Sequence, residues 1–231
     1  MRKLILFFII AFATIGLTLP IHVSATELST DSTLKRYTVA DYIKYLDNYS
    51  EVDALNSGVS PEYVSEAVKE SKTVLENFKQ MPEETQQKFV ESFTKFETGE
   101  TVVESEGDDQ DGDMFPMADK SISYTNSVKF FGAPVTTYKV SVNYKVTKGK
   151  VSKINSSKAY VVRNWNPVVR TDLNTNGKSH WIASDNKAVV EGSFFYRIGP
   201  LKDFGVQVGN VHLKAVGDKN GKRTYAKMKL D

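Results

Sequence analysis

The sequence has no cysteine, only three histidines and two tryptophans among its 231 residues. Without thiolates the chain cannot form disulfides, a Cys-ligated zinc site, an iron–sulfur cluster or a cysteine nucleophile. The uncharged, mostly apolar stretch 4–19 has 16 residues, short of the roughly 20 that a membrane-spanning helix needs. With 40% hydrophobic and 25% charged residues, the composition is that of one or two ordinary soluble domains.

The N-terminus has the features of an export signal. Arg2 and Lys3 precede the uncharged stretch 4–19, which Pro20 interrupts before the small-residue sequence Val23-Ser24-Ala25. This order of charged, apolar and small residues is typical of a secretory signal peptide, and we expect cleavage after Ala25. An uncleaved N-terminal anchor is the alternative. The predicted location of the mature chain is extracellular.

Charge is divided sharply along the remaining chain. Residues 26–119 contain 8 basic and 22 acidic residues, whereas residues 120–231 contain 20 basic and 6 acidic residues. The two halves therefore carry formal charges of −14 and +14. A basic segment of this kind is attracted to polyanions, and an acidic segment beside it competes with them. The pattern predicts that one half can mask the other.

The acidic half has helical periodicity. Thr38 and Asp41 resemble a capping box, and Ser60-Pro61-Glu62 resembles an N-cap followed by proline in the first turn. A third helix is predicted to begin at Pro82 and to end before Gly99. We interpret the aromatic stripe on these helices as a core face, because their opposite faces are acidic and anionic lipid would repel them.

Residues 97–119 contain nine acidic and no basic residues, which favours a flexible linker open to a processing protease. Asp109, Asp111 and Asp113 alternate within it, and alternating carboxylates can bind calcium. An EF-hand loop starting at Asp109 would need Gly and Glu where the chain has Met114 and Lys120. We therefore predict a linker without a metal.

The basic half alternates with a period of two. Apolar and polar residues alternate over 138–146, and further strands are predicted at 160–162, 189–198 and 206–216, with a bulge near Gly209. Lys148-Gly149-Lys150 and Asn220-Gly221 are typical turn sequences. The predicted fold class is α+β, with short N-terminal amphipathic helices and a C-terminal antiparallel β-sandwich or barrel-like domain.

The predicted domain organisation has four parts: a signal peptide (1–25), an acidic helical pro-region (26–96), an acidic flexible linker (97–119) and a basic all-β domain (120–231).

The sequence offers few groups for catalysis. His180 and His212 lie in different predicted strands, so they do not form the three-ligand set of a zinc catalyst. Ser179 precedes His180, but neighbouring strand residues point to opposite faces and cannot pair as nucleophile and base. The basic half has no clustered acid pair and no Gly-rich phosphate loop. We predict a protein that is not an enzyme and has no cofactor or metal site.

The candidate functional residues are the lysines and aromatics of the basic half. Lysines at matching strand positions would line one face of a sheet and attract an anionic surface, and Trp side chains would add interfacial contact. Phe194 and Tyr196 are interpreted as core residues. The predicted envelope-binding residues are Lys139, Lys145, Lys148, Lys150, Lys153, Trp165, Trp181, Arg223, Lys227 and Lys229.

Several landmarks of the basic half resemble a known family. Asn164-Trp165-Asn166-Pro167, Ser179-His180-Trp181, the segment 188–192 and Gly217-Asp218 are similar to the C-terminal region of the large closticin and geobacillin-type bacteriocins of Gram-positive bacteria. The resemblance covers about the last 110 residues. It implies a precursor that a signal peptide exports and an antibacterial activity in the C-terminal portion, and it assigns no residue-level roles.

Two functions are therefore expected from the sequence. The first is a secreted bacteriocin-like antibacterial precursor, whose basic domain perturbs target-cell envelopes once a protease removes the acidic pro-region that masks it. The second is a non-toxic extracellular binding module or adhesin that docks on an anionic wall polymer. The expected partners are an anionic bacterial membrane or wall polymer, the chain's own acidic pro-region and a processing protease, with no nucleic acid.

Overall fold

Helices precede strands along the chain, in the order that the sequence predicts. A computed structural model describes residues 37–94, 100–103, 117–199 and 206–231. The predicted signal peptide and the three alternating aspartates lie outside these residues. The α-helices are α1 (Val39–Asp47), α2 (Glu51–Asn56), α3 (Val64–Lys79) and α4 (Glu83–Glu91), with 3₁₀ turns at Pro61–Tyr63 and Ser92–Thr94.

Eight strands follow the helices in the described part of the chain. They are β1 (Glu100–Val103), β2 (Met117–Phe130), β3 (Ala133–Thr147), β4 (Lys150–Asn164), β5 (Val169–Ile182), β6 (Ala188–Ile198), β7 (Val206–Gly217) and β8 (Arg223–Leu230). All of their pairings are antiparallel. One sheet has the order β1-β8-β7-β6-β5 and the other has the order β2-β3-β4. The predicted α+β fold with a sandwich-like domain is confirmed.

Two capping boxes begin the helical region. Thr38 Oγ1 accepts a hydrogen bond from the Asp41 N–H at 3.1 Å, and the Asp41 carboxylate accepts one from the Thr38 N–H, as predicted. Ser50 and Asp53 do the same for α2, a short helix that the sequence analysis missed. Each box satisfies backbone donors that would otherwise lack partners at the helix start.

Ser60 occupies the predicted N-cap position, with Pro61 in the first turn, but its side chain makes no capping hydrogen bond. Pro61 begins a 3₁₀ turn, and α3 begins only at Val64. The Ser60 hydroxyl instead accepts a hydrogen bond from the Val161 N–H in β4 at 3.0 Å, while the Ser60 N–H donates to the Val161 carbonyl. The Ser60 hydroxyl oxygen, which the local sequence pattern assigned to a helix cap, therefore makes a tertiary hydrogen bond with the sheet.

The aromatic stripe of the helices is a core face, as interpreted from the sequence. Tyr42 lies at the centre, with its ring centroid 4.9 Å from that of Phe78 and 4.8 Å from that of Phe93. Phe89 contacts the same cluster and also Phe130 of β2, at 5.9 Å between centroids. The helices therefore share apolar contacts with the sheet region.

The inward faces of the two sheets enclose the second part of the core. Tyr138 and Val140 of β3 face Phe194 of β6, and the Tyr138 and Phe194 rings are 4.8 Å apart. Gly192 lies where a Cβ would come within 2.7 Å of Val140, so only glycine allows this approach of the sheets. The core assignment of Phe194 and Tyr196 is confirmed, because both are almost fully buried.

The turn predictions are confirmed and the linker prediction is partly wrong. Lys148 and Gly149 have positive φ angles of 51° and 74° in the β3–β4 turn, and Gly221 has a φ of 87° in the β7–β8 turn. Residues 100–103, assigned to the linker, instead form β1 and pair with β8, and β2 begins at Met117. Thr101-Val102-Val103 has the β-branched composition that favours an edge strand.

The helices are joined to the sheets through the segment that follows β4. Asn164 donates from its side chain to the Ser57 carbonyl at 3.0 Å and accepts the Tyr49 hydroxyl through its backbone carbonyl at 3.0 Å. Trp165 donates to the Ala67 carbonyl at 3.3 Å, and Asn166 donates to the Phe93 carbonyl at 3.0 Å. All described residues belong to one compact unit. The acidic helices and the basic sheets thus share a core.

Several tyrosine hydroxyls end inside this core. Tyr138 donates to Thr171 Oγ1 at 3.2 Å and Tyr144 donates to the Asp218 carbonyl at 2.6 Å. Burial raises the pKa of Tyr49 to about 12 and also raises the pKa values of Tyr42, Tyr138 and Tyr144. We refer to Tyr42, Tyr49, Tyr138 and Tyr144 as the four buried tyrosines, although Tyr124 and Tyr196 are buried as well. None of the described helices has the length and apolarity to cross a bilayer.

Candidate anion-binding surfaces

The outer face of the three-stranded sheet has the strongest basic character. Because strand side chains alternate, the inward Tyr138, Val140 and Tyr144 leave the intervening positions of β3 on the outside. We use the term lysine face for four lysines on this side of the sheet: Lys139, Lys145, Lys153 and Lys158. Strands β2–β4 together contain eight basic residues and one acidic residue.

The register brings two of these lysines together. Lys145 of β3 lies directly opposite Lys153 of β4, an arrangement that is destabilising for like charges. Within the described residues, none of the four lysines forms an ion pair with a carboxylate. Asp119 lies opposite Lys145 on β2, but it accepts a hydrogen bond from the Asn155 side chain at 3.0 Å. Carboxylates near this surface, such as Asp119, therefore lie close to the lysines without forming ion pairs with them.

An aromatic pair borders the lysine face at the end nearest the helices. The Tyr63 and Tyr160 rings meet edge to face with centroids 5.1 Å apart. Lys139 Nζ lies 5.7 Å from the Tyr63 ring, and Lys158 Nζ lies 5.8 Å from the Tyr160 ring. A hydrogen bond with the Tyr160 side chain raises the pKa of Lys158, and the negative charge of Glu62 contributes to the same shift.

Neutral hydrogen-bonding groups occupy the positions between the lysines. Ser141 lies opposite Lys158, and Asn143 lies opposite Ser156. Their hydroxyl and amide groups can donate to oxygen atoms. Lys148 and Lys150 are exposed at the β3–β4 turn and add two positive charges at the far end of the sheet. The combination of separated cations and neutral donors suits a polymer that carries repeated anionic groups.

A different surface contains the other predicted residues. Trp181 and Lys227 lie on the outer face of the five-stranded sheet, where Trp181, Val189, Val216 and Tyr225 form a row across four strands. Trp181 is 38% exposed, and Lys214 Nζ lies 5.0 Å from its ring. We call Lys214, Lys227 and Lys229 the second basic face.

Carboxylates compensate part of the second basic face. Lys214 pairs with Glu191 at 2.9 Å, and Lys229 lies 3.4 Å from Asp231. The outer faces of the two sheets point away from each other. Lysines at alternate positions of a strand therefore lie on one face within each sheet, as predicted. The predicted envelope-binding residues as a whole, however, are divided between two surfaces.

Two predicted contact residues do not belong to either face. Trp165 is 1% exposed in the core between helices and sheets, so its assignment as an envelope-binding residue is wrong. Its neighbours Asn164 and Asn166 supply the hydrogen bonds that favour this buried position. Arg223 donates to the Ser123 carbonyl at 2.6 Å, and its guanidinium lies 5.5 Å from the Tyr124 ring, so it links the two sheets.

The histidines lie apart, as predicted, but one has a serine partner that the sequence analysis missed. His180 Nδ1 lies 2.7 Å from the Ser157 hydroxyl, and Lys178 Nζ donates to the Ser157 carbonyl at 3.1 Å. Ser157 is buried, and no carboxylate of the described residues contacts His180. Within the described part of the chain, the pair therefore lacks the orienting acid of a hydrolase triad. Only the packing of β4 against β5, which belong to different sheets, brings these residues together.

The second histidine is tied to the C-terminus. His212 Nε2 lies 3.0 Å from an Asp231 carboxylate oxygen. The described residues contain no group of three or more His, Asp or Glu side chains placed to hold a metal ion. Comparison of the chain with family models, with curated proteins and with solved structures found no match.

Proposed function

We propose that this chain is an exported, non-enzymatic protein that binds an anionic polymer of the bacterial cell wall through the lysine face. The single observation that carries the proposal is the group of lysines without ion pairs on this face, where Lys145 opposes Lys153 and neither pairs with a carboxylate of the described residues. An anionic group between the two lysines would relieve their repulsion. Phosphate groups along a wall polymer have the required charge.

The interaction has the energetics of surface electrostatics. Each lysine close to an anionic surface contributes about 1 kcal/mol, so three lysines together contribute about 3 kcal/mol. That corresponds to an affinity change of roughly 100-fold. Because the lysines are exposed, salt weakens the interaction, and the Debye length falls to about 3 Å at 1 M salt. Binding therefore depends on both the face and the ionic strength.

The test compares two triple variants of the chain 26–231. One variant changes Lys145, Lys153 and Lys158 to Gln, and the matched control changes three exposed helix lysines, Lys69, Lys79 and Lys88, to Gln. Both variants lose the same net charge. We expect the first to bind purified wall sacculi at least tenfold more weakly and the control to bind as the parent does. Equal loss in both variants, or binding that high salt leaves unchanged, would contradict the proposal.

An antibacterial precursor is a second candidate. The observation that favours it is the division of charge into −14 and +14 segments around the acidic run 97–119. In this candidate a processing protease cuts that run, and the basic half then acts on target envelopes without covalent chemistry or a cofactor. The test is dye leakage from anionic vesicles and from Gram-positive cells, with the intact chain and with the chain nicked within 104–116. Wall binding without leakage from either form argues for the binding module.

A further inference from the structure

A cavity of about 360 Å³ lies between the helices and the sheets. Its volume is at the lower end of the roughly 300–1,000 Å³ range of pockets that hold small molecules. Phe78, Phe89 and Trp165 form an aromatic wall, and Val74, Met81 and Ala133 add apolar contacts. Its walls come from both halves of the chain. It is separate from the lysine face, because none of the four lysines lines it.

Two charged side chains lie at the edge of this cavity and neutralise each other. Arg163 Nη1 donates to the Glu70 carboxylate, and the guanidinium lies 5.2 Å from the Trp165 ring. The two side chains are 24% and 33% exposed, which is an intermediate degree of burial. An arginine has five N–H donors. Among the described residues only Glu70 accepts from it, and the buried Nε–H has no acceptor there.

We propose that this cavity binds an uncharged amphiphile, a molecule with an apolar body and one hydroxyl or carbonyl oxygen. The aromatic wall suits the apolar body, and the spare donors of Arg163 suit the oxygen. A charged head group would be attracted by one member of this pair and repelled by the other, so the pair offers it little net Coulomb energy to offset the cost of removing its charge from water. The neutral pair therefore selects against both charged head groups.

The two tryptophans make binding directly measurable. Trp165 lines the cavity, and Trp181 lies on the outer face of the five-stranded sheet. In a Trp181→Phe protein, Trp165 is the only tryptophan. A medium-chain alcohol with a terminal bromine quenches tryptophan fluorescence on contact. We expect saturable quenching of Trp165 in this protein, with weaker binding of the carboxylate and ammonium probes of equal length.

Two kinds of variant test the location and the polar contact. Ala133→Leu and Val74→Phe fill the cavity from different elements, and either should abolish saturable quenching while the thermal melt stays cooperative. Arg163→Lys keeps the charge opposite Glu70 but removes the guanidinium donors. It should weaken binding of the alcohol about 3- to 10-fold, the effect expected for one lost hydrogen bond.

The outcomes separate this proposal from surface adsorption. Quenching that rises linearly with probe concentration, or that persists in both filled variants, overturns the cavity assignment. Equal affinity for the alcohol and the carboxylate overturns the selection by Glu70 and Arg163. If one filled variant fails to fold, the other decides. Binding of wall polymer by the lysine-face variants is measured separately, so failure of one proposal leaves the other intact.

Discussion

Replacing Trp165 by alanine tests whether this residue holds the helices to the sheets or contacts an envelope. The side chain is 1% exposed, with its Nε1–H donating to the Ala67 carbonyl at 3.3 Å and Arg163 stacked over its ring. All of these contacts disappear in the variant. The sequence resemblance left the role of the Asn-Trp-Asn-Pro segment open, and the structure places it at the junction between helices and sheets.

The expected loss of stability is large. Truncation of a buried tryptophan to alanine costs about 3–5 kcal/mol, because apolar contacts are lost and a cavity remains. The hydrogen bond to Ala67 adds about 0.5–1.5 kcal/mol, and the stacking of Arg163 adds about 0.5–2 kcal/mol. Since these contributions overlap, we expect the free energy of unfolding to fall by about 4–6 kcal/mol. For a chain of this size the Tm should fall by about 10–20 °C.

Urea unfolding of Trp165→Ala and of the matched Trp181→Ala provides the assay. Trp181 is 38% exposed and contacts Lys214 at the surface, so its removal should cost only about 1 kcal/mol. A loss below about 1 kcal/mol for Trp165→Ala, or equal losses for the two variants, would refute the structural role. Reduced wall binding by Trp165→Ala at unchanged stability would restore the original interpretation as a contact residue.

Three further predictions concern the same packing. Gly58 has a φ of 94°, and a Cβ there would lie 1.6 Å from the Thr171 carbonyl oxygen. Gly58→Ala should therefore lower the free energy of unfolding by about 3 kcal/mol or more. The control is Gly132→Ala, which has open space around its Cβ position and should cost about 1 kcal/mol in the same urea assay. Burial raises the pKa of the four buried tyrosines, and that of Tyr49 reaches about 12. The folded state therefore retains protons that the unfolded state loses above pH 10. Stability should decrease as pH rises from 10 to 12, by up to about 1.4 kcal/mol per pH unit for each tyrosine. This can be checked by denaturant unfolding as a function of pH, together with the absorbance of tyrosinate. Finally, a chain nicked within 104–116 should elute as one species in gel filtration under native conditions, and separation of the fragments without denaturant would contradict the shared core.

Local sequence patterns predicted the features whose causes are local. Alternation over 138–146 identified β3, and the period of the apolar residues identified the buried faces of α1 and α3. The capping box at Thr38 and the turn at Asn220-Gly221 depend on residues within a few positions of one another. In each case the side chains that determine the structure are sequence neighbours, so the tertiary structure had little to add.

The features that the sequence did not predict depend on distant residues. Ser60 has every local property of an N-cap, but its hydroxyl bonds to Val161, which is 101 positions away. The pairing of β1 with β8 likewise joins the end of the helical half to the end of the chain. The periodicity of apolar and polar residues along the sequence contains no information about such distant partners. Lys145 and Lys153 were both predicted as contact residues, whereas their direct opposition became visible only with the strand register.

The segregated charges also have a different consequence in a shared core than in two separate units. The segments 26–119 and 120–231 cancel each other, so the net charge of the expected mature chain supplies no attraction to a polyanion. The same charges, kept on different surfaces, make the molecule strongly polar, and a polyanion would meet the lysine face while the acidic helix surfaces are repelled. Recognition would then depend on the local field of the sheet and not on the total charge. For this reason the helix-lysine control is informative: it changes the net charge by the same amount as the lysine-face variant but leaves the local field of the sheet almost unaltered.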